Sequence, residues 1–277
     1  MSVLQGKTVF ITGASRGIGR AIALRCANDG ANVVITGKTA VAHAKLPGTI
    51  HSVVDEVEKA GGKGLAIQLD VRDERALQAA VEQAANHFGG IDVLVNNASA
   101  IYLSNTLDTP ARKLDLMWDV NMRATFLASQ ACIPYLRKST NPHILTMSPP
   151  LSHAPKWFSP HLAYSISKFG MSLCALGMAS EFADDGIAVN CLWPRTTIAT
   201  AAIEFNFPAQ VLRASRKPEI VADAAYQIFQ RNSRECTGNF FIDEAVLSQA
   251  GVMNFEHYAV TPNMPLFNDL FLDEGKA

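Results

Sequence analysis

The segment Thr12-Gly13-Ala14-Ser15-Arg16-Gly17-Ile18-Gly19 follows the apolar run Lys7-Thr8-Val9-Phe10-Ile11 and opens a helical pattern. The first twenty residues therefore read as a strand, a tight turn and a helix. Three glycines spaced G-x-x-x-G-x-G let the chain turn sharply, let its backbone approach a pyrophosphate and let the helix pack closely on its strand. The helix N-terminus adds N–H groups and partial positive charge that favour phosphate. Glycine also marks ordinary turns, so on this pattern alone a nucleotide cradle and a plain turn stand about even.

Strand-like and helix-like patterns alternate from there on. Short β-branched runs occur at Val9-Phe10-Ile11, Val33-Val34-Ile35, Leu65-Ala66-Ile67, Val93-Leu94-Val95, Ile144-Leu145-Thr146 and Ile187-Ala188-Val189. Each predicts a strand buried on both faces. Helical spacing fills the intervals, most clearly at Ile166, Phe169, Leu173 and Leu176. Such alternation predicts right-handed βαβ units. The expected fold is α/β, a single Rossmann-like doubly wound parallel sheet of six to seven strands with helices on both faces; Phe240-Phe241-Ile242 is the candidate seventh strand.

A chain of 277 residues with 48% hydrophobic content can bury one such core without a second domain. Residues 1–250 are read as that domain and 251–277 as a C-terminal tail. The tail is rich in aromatic residues and broken by Pro262 and Pro265. Folding over a pocket, docking on a neighbouring subunit and fraying all stay open for it. Thr39 to Thr49, with Pro47-Gly48, reads as a loop inserted after the second strand, and Pro149 to Pro160 as a second irregular stretch with four prolines.

A net charge of −1 with Lys and Arg spread along the chain argues against a nucleic-acid partner. The five cysteines, Cys26, Cys132, Cys174, Cys191 and Cys236, are widely spaced and outside any CxxC. They read as small core residues in a reducing compartment, with no disulfide framework and no metal site. Met1 to Gly6 lacks a basic region followed by an apolar stretch, and no apolar run approaches the roughly eighteen residues of a membrane span. A soluble, cytoplasmic protein is the expectation.

Chemistry concentrates near one sheet edge. Tyr164-Ser165-Ile166-Ser167-Lys168 sets a phenol and an ammonium four residues apart at a helix start, on one face and about one turn apart. A cation there favours the phenolate and suits proton transfer. Ser148 ends the fifth strand candidate and Asn96-Asn97-Ala98 the fourth, where open α/β sheets bind ligands. Read singly, Ser148 serves equally as a turn residue and the asparagines as backbone support. Asn121, inside the amphipathic pattern from Leu114 to Leu136, needs buried partners.

In order and separation these residues resemble the short-chain dehydrogenase/reductase family across nearly the whole chain: Thr12 to Gly19, Asp70-Val71, Asn96-Asn97-Ala98, Asn121, Ser148, Tyr164 with Lys168, and Pro194. The resemblance implies an oxidoreductase acting on CH–OH and C=O groups. Tyr164 would be the acid or base at the substrate oxygen, and Lys168 would lower its pKa and hold the nicotinamide ribose. Ser148 would hydrogen-bond the substrate carbonyl or alcohol, and Asn121 would keep a water in a relay towards Lys168. Cofactor contacts fall on Gly13, Ser15, Arg16, Gly17, Ile18, Gly19, Lys38, Asp70, Val71, Asn97, Ala98, Pro194 and Thr196, besides Tyr164 and Lys168. The resemblance also implies a homodimer or homotetramer paired through the helices around Leu114–Leu136 and Ile166–Phe182.

Gly37-Lys38 stands where NAD sites usually place a carboxylate. Lys38 together with Arg16 would hold a 2′-phosphate, so NADP(H) is preferred over NAD(H). Ala201 to Phe207, with Trp157 and Phe158, would line an apolar pocket over the nicotinamide and suit a small fatty-acyl or sterol-like carbonyl. The competing reading is a nucleotide-binding redox sensor or scaffold with little turnover. A methyltransferase on a similar sheet would leave Tyr164, Lys168 and Lys38 without a task. The chain departs from the family pattern at three places: sixteen residues separate Ser148 from Tyr164, Arg195-Thr196-Thr197 follows Pro194, and Asp243-Glu244 replaces the usual paired glycines, so the C-terminal rim should be rebuilt.

Overall fold

The computed structural model describes residues 3–42 and 47–272; 43–46 of the loop after the second strand and 273–277 of the tail lie outside the described residues. Among the described residues seven strands form one sheet: β1 (Thr8–Ile11), β2 (Asn32–Gly37), β3 (Lys63–Gln68), β4 (Val93–Asn96), β5 (His143–Thr146), β6 (Ala188–Trp193) and β7 (Phe240–Ile242). All pairings are parallel, in the order β3-β2-β1-β4-β5-β6-β7. The order reverses between β1 and β4, which opens a crevice at their carboxyl ends.

The helices are α1 (Gly17–Ala27), α2 (Ile50–Lys59), α3 (Glu74–Phe88), α4 (Ala111–Met117) and α5 (Ala124–Leu136), followed by α6 (Leu162–Glu181), α7 (Ala201–Asn206), α8 (Ala209–Arg213), α9 (Glu219–Phe229) and α10 (Asp243–Gln249). Strand side chains alternate between faces, so each strand feeds two cores. Val9, Ile11, Val33, Ile35, Val93 and Val95 pack with α1, α2 and α9. Phe10, Val34, Leu94 and Ile144 pack with α3, α5 and α6.

Several expectations shift. β3 is an edge strand with Lys63 and Gln68 exposed, because only β2 pairs with it. The sixth strand begins at Ala188 and runs on to Trp193. Ile166, Leu173 and Leu176 face outward, whereas the face of α6 that meets the fold carries Ala163, Ser167, Lys168, Met171, Ser172, Ala175 and Ala179. Ser167, Ser172, Ala175 and Ala179 let the helix lie close to the fold, while Ile166, Leu173 and Leu176 form an outer stripe. α6 is also long and apolar enough to cross a membrane by length and composition, though 61% of the relevant window is buried within the fold. The pattern from Leu114 to Leu136 is interrupted, since Trp118–Arg123 forms a π-helical segment between α4 and α5. A wider turn of this kind re-aims side chains and recurs at functional sites.

Candidate active site

A cleft of about 440 Å³ lies at the crevice. Its walls are Gly13, Ser15, Arg16, Gly17 and Ile18 from the glycine turn, Gly37, Lys38 and Thr39 from the end of β2, Asp70 and Val71 after β3, Asn97 and Ala98 after β4, and Thr200 to Ala202 at the start of α7. A Cβ on Gly13 would come within 2.9 Å of the Ala98 Cα, and φ there is +69°, so both space and backbone favour glycine. Arg16, at the N-cap of α1, adds no side-chain cap, so the first-turn N–H groups remain for a ligand. These residues fit the pyrophosphate and adenosine of a dinucleotide. Gly19, Pro194 and Thr196 stand outside the walls. Gly19 sits beneath Asn97, where a Cβ would meet Nδ2 at 2.6 Å. Pro194 and Thr196 follow β6 in buried positions, and Thr196 Oγ1 has no hydrogen-bond partner among the described residues. Such an orphaned buried hydroxyl fits a ligand group.

The two cations expected at a 2′-phosphate differ. Arg16 donates to Pro47 O at 3.1 Å, Gly48 O at 3.2 Å and Thr39 Oγ1 at 3.0 Å, which fastens the described part of the 39–49 loop to the glycine turn. Lys38 has 64% of its side chain exposed and lies 4.0 Å from Asp70. Asp70 accepts from Arg72, which holds its carboxyl low, at about 2.

The catalytic candidates meet at the carboxyl edge of β5. Lys168 donates from Nζ to Met147 O at 2.6 Å, lies 3.4 Å from Met171 Sδ, and sits 5.1 Å from the centre of the Trp193 ring. Ser148, one residue past Met147, donates from Oγ to Cys191 Sγ at 3.2 Å. Asn121 lies in the π-helical segment; its Oδ1 accepts from Ala100 N at 2.7 Å and its Nδ2 donates to Ala100 O at 3.0 Å and Ser167 Oγ at 2.9 Å. Ser167 Oγ in turn donates to Tyr164 O at 2.7 Å. Asn121 thus ties the loop following β4 to the N-terminal part of α6.

Burial decides the protonation states. It lowers Lys168 to about 7 against the opposing pull of Asp269, and it raises the Tyr164 phenol above its ordinary value, with Asp269 adding to the rise. The expected lowering of the phenol by Lys168 is therefore not found here. Desolvation outweighs it, and the lysine directs its Nζ to a backbone carbonyl.

The far rim, expected to be rebuilt at Asp243-Glu244, is held by contacts that the sequence did not specify. Asp243, at the start of α10, accepts from Arg195 N at 2.8 Å and Glu244 N at 2.7 Å. Glu244 pairs with Arg216 and lies 3.8 Å from Arg195. The Asp243-Glu244 departure from the family pattern was the available signal for this ionic rim. The tail brings Asp269 and Phe271 in as well, so of the outcomes its aromatic-rich sequence left open it packs over Tyr164. Phe271 lies over the Tyr164 ring, with centroids 6.1 Å apart and planes at 28°. Trp157 and Phe158 join the same aromatic cluster. Of the 201–207 segment, Ala201 and Ala202 reach the cleft while Phe205 is 56% exposed, and the apolar side chains packed against Tyr164 come from the 149–160 loop and the tail instead.

A family model described as short chain dehydrogenase matches residues 7–208. A curated relative, hydroxysteroid dehydrogenase-like protein 2 of Bos taurus, is 58% identical over 99% of this chain, which spans 65% of that relative's length. A crystal structure of a protein from Xanthomonas campestris is 55% identical with a TM-score of 0.96, covering 98% of this chain and 99% of that one. A short chain dehydrogenase from Mycobacterium thermoresistibile is 49% identical with a TM-score of 0.92, covering 98% and 96%.

Asp243 supplies a pH test of this rim. Burial raises its carboxyl from 3.8 to about 6, and Oδ2 has no partner among the described residues. A folded-state value above the unfolded one stabilises the fold below that window and is lost as pH rises through about 6. Asp243→Asn cannot titrate, so it is expected to gain about 2 kcal/mol on the native chain between about pH 4 and about pH 7. Urea unfolding at the two pH values measures this; a difference that does not change with pH would refute it.

Proposed function

This chain belongs to the short-chain dehydrogenase family and is an oxidoreductase, and from that premise we propose that it interconverts the carbonyl and alcohol of a small lipid-like substrate with NADP(H). The supporting observation is that Lys168 donates to the Met147 carbonyl next to Ser148 at the carboxyl edge of β5, on the helix that also carries the buried Tyr164, with an uncapped helix N-terminus in the cleft. A bound nicotinamide supplies or takes up the hydride. Tyr164 Oη gives its proton to the substrate oxygen in the reducing direction, and Ser148 Oγ donates a hydrogen bond to the same oxygen. Burial keeps this phenol protonated in the free chain. Lys168, one helical turn on, holds the nicotinamide ribose, and its ammonium steadies the phenolate left behind once it turns from the Met147 carbonyl. Asn121 holds Ser167 and thereby the backbone of Tyr164.

Tyr164→Phe is expected to lower NADPH-dependent reduction across a carbonyl panel by about 10²- to 10⁴-fold with an unchanged circular dichroism spectrum. Equal rates for wild type and variant would favour the redox-sensor reading.

The NADP(H) preference rests on Gly37-Lys38 at the end of β2 and on Arg16 in the same cleft wall. The exposed Lys38 ammonium remains within reach of a 2′-phosphate, and Arg16 keeps Thr39 and Gly48 beside it. Lys38→Ala should cut kcat/KM for NADPH by about tenfold and leave that for NADH unchanged. A native preference for NADH would overturn the assignment.

The aromatic cluster of Trp157, Phe158, Phe169, Trp193 and Phe271 supports a fatty-acyl or sterol-like substrate body. Trp118, Phe126, Leu173 and Leu176 leave an apolar surface on the π-helical segment, α5 and α6 that suits pairing with a second copy of the chain. Light scattering is expected to give a multiple of 29.9 kDa; a monomer at micromolar concentration would rule that out.

A further inference from the structure

Two residues that must touch substrate in the reading above are closed off: Tyr164 is 6% exposed and Ser148 is fully buried. The cover over Tyr164 is the chain's own C-terminal segment. Phe271 stacks on the phenol ring and meets Phe169 edge-on and Trp193 at a tilt. A phenyl group in this position covers the ring of the proposed proton donor, on the side where the carbon skeleton of a carbonyl substrate would lie.

The segment is held by scattered bonds and no continuous ladder. Phe267 N donates to Ala214 O at 2.9 Å, Thr197 N donates to Phe267 O at 2.9 Å, Asp269 N donates to Arg195 O at 3.1 Å, and Trp193 Nε1 donates to Leu270 O at 2.9 Å. A single antiparallel bridge joins Thr196 and Asn268. Phe271 itself has φ at +71°, in the left-handed region that a bulky side chain rarely adopts. Backbone strain of this kind persists only where surrounding contacts hold it, and it recurs at clamps and switches. The ring contacts hold Phe271 in place, and the backbone favours its release. A ligand that replaces the ring contacts therefore relieves the strain. The segment also carries Asp269, whose charge disfavours the Tyr164 phenolate while the cover is seated.

We propose that Phe267–Leu272 is a displaceable gate in which Phe271 holds the seat of the substrate's apolar body, so that the site opens to carbonyl compounds bearing a flat or bulky apolar group able to replace a phenyl ring against Tyr164, Phe169 and Trp193. The proposal rests on Tyr164 as the residue that faces substrate. Its test does not depend on turnover, so a failure here is separate from a failure of that assignment.

Tyr164 is nitrated with tetranitromethane in the NADPH-loaded chain and followed by peptide mass spectrometry. Phe271→Ala is expected to speed its nitration by about tenfold over wild type, with Phe271→Leu between the two. Thermal unfolding checks that both variants are folded, and the leucine variant carries the comparison if alanine is too disruptive. In wild type, saturating methyl naphthyl ketone is expected to raise hydrogen exchange at the amides of Phe267 and Asp269 by about tenfold. Equal nitration rates in wild type and a folded variant would overturn the gate, and exchange at those two amides unchanged by the ketone would overturn the shared seat.

Discussion

The site depends on a small set of hydrogen bonds between two strand ends that are far apart in the chain. Asn97 donates from Nδ2 to the carbonyls of Thr12 and Gly13, and Thr12 Oγ1 accepts from the N–H groups of Asn97 and Ala98. These bonds fasten the turn after β1 to the end of β4 at the point where the sheet reverses its order. The glycines answer to this closeness. Gly13 lies against Ala98 and Gly19 against Asn97, so a side chain at either would push the two ends apart. The cleft exists because the ends are pinned together while the helix start beside them is left uncapped.

On the substrate side burial takes the governing role. α6 presents small residues to the fold and lies close to the sheet, which carries Lys168 to the Met147 carbonyl and leaves its ammonium in an apolar setting. The same burial keeps the neighbouring phenol protonated. Far-rim carboxyls respond in the same direction, for Asp243 and Asp269 are both held above the usual carboxylate range, at about 6 and about 7. Around Tyr164 and Lys168 lies a desolvated cluster of titratable groups covered by the C-terminal segment. Its electrostatics follow from how tightly that segment packs.

Much of this was legible in the residues. The strand runs, the glycine turn and the tyrosine–lysine pair are local patterns, and seven parallel strands with Tyr164 and Lys168 at the start of one helix follow from them. Periodicity misled at α6, where Ile166, Leu173 and Leu176 keep helical spacing and yet face outward, because spacing identifies a helix and not which face is covered. It also passed over the π-helical turn at Trp118–Arg123, which re-aims Asn121 within an otherwise continuous pattern. The role of Arg16 was read from charge and position alone. Its bonds to Pro47, Gly48 and Thr39 depend on a loop about thirty residues away.

By itself, the sequence determined the alternation of strands and helices and the positions of the glycine turn and of the Tyr164 and Lys168 pair, since each is a pattern within one turn or one strand; the tasks assigned to these residues came from resemblance to a family. Only the tertiary structure decided that Asp243 braces the chain after Pro194, that Phe271 covers Tyr164, and that Lys168 directs its Nζ to Met147 O. Those contacts join residues up to about a hundred positions apart, and no periodicity carries information over that distance. The packing of one element on another sets them, and with them the desolvation that governs the protonation of the site.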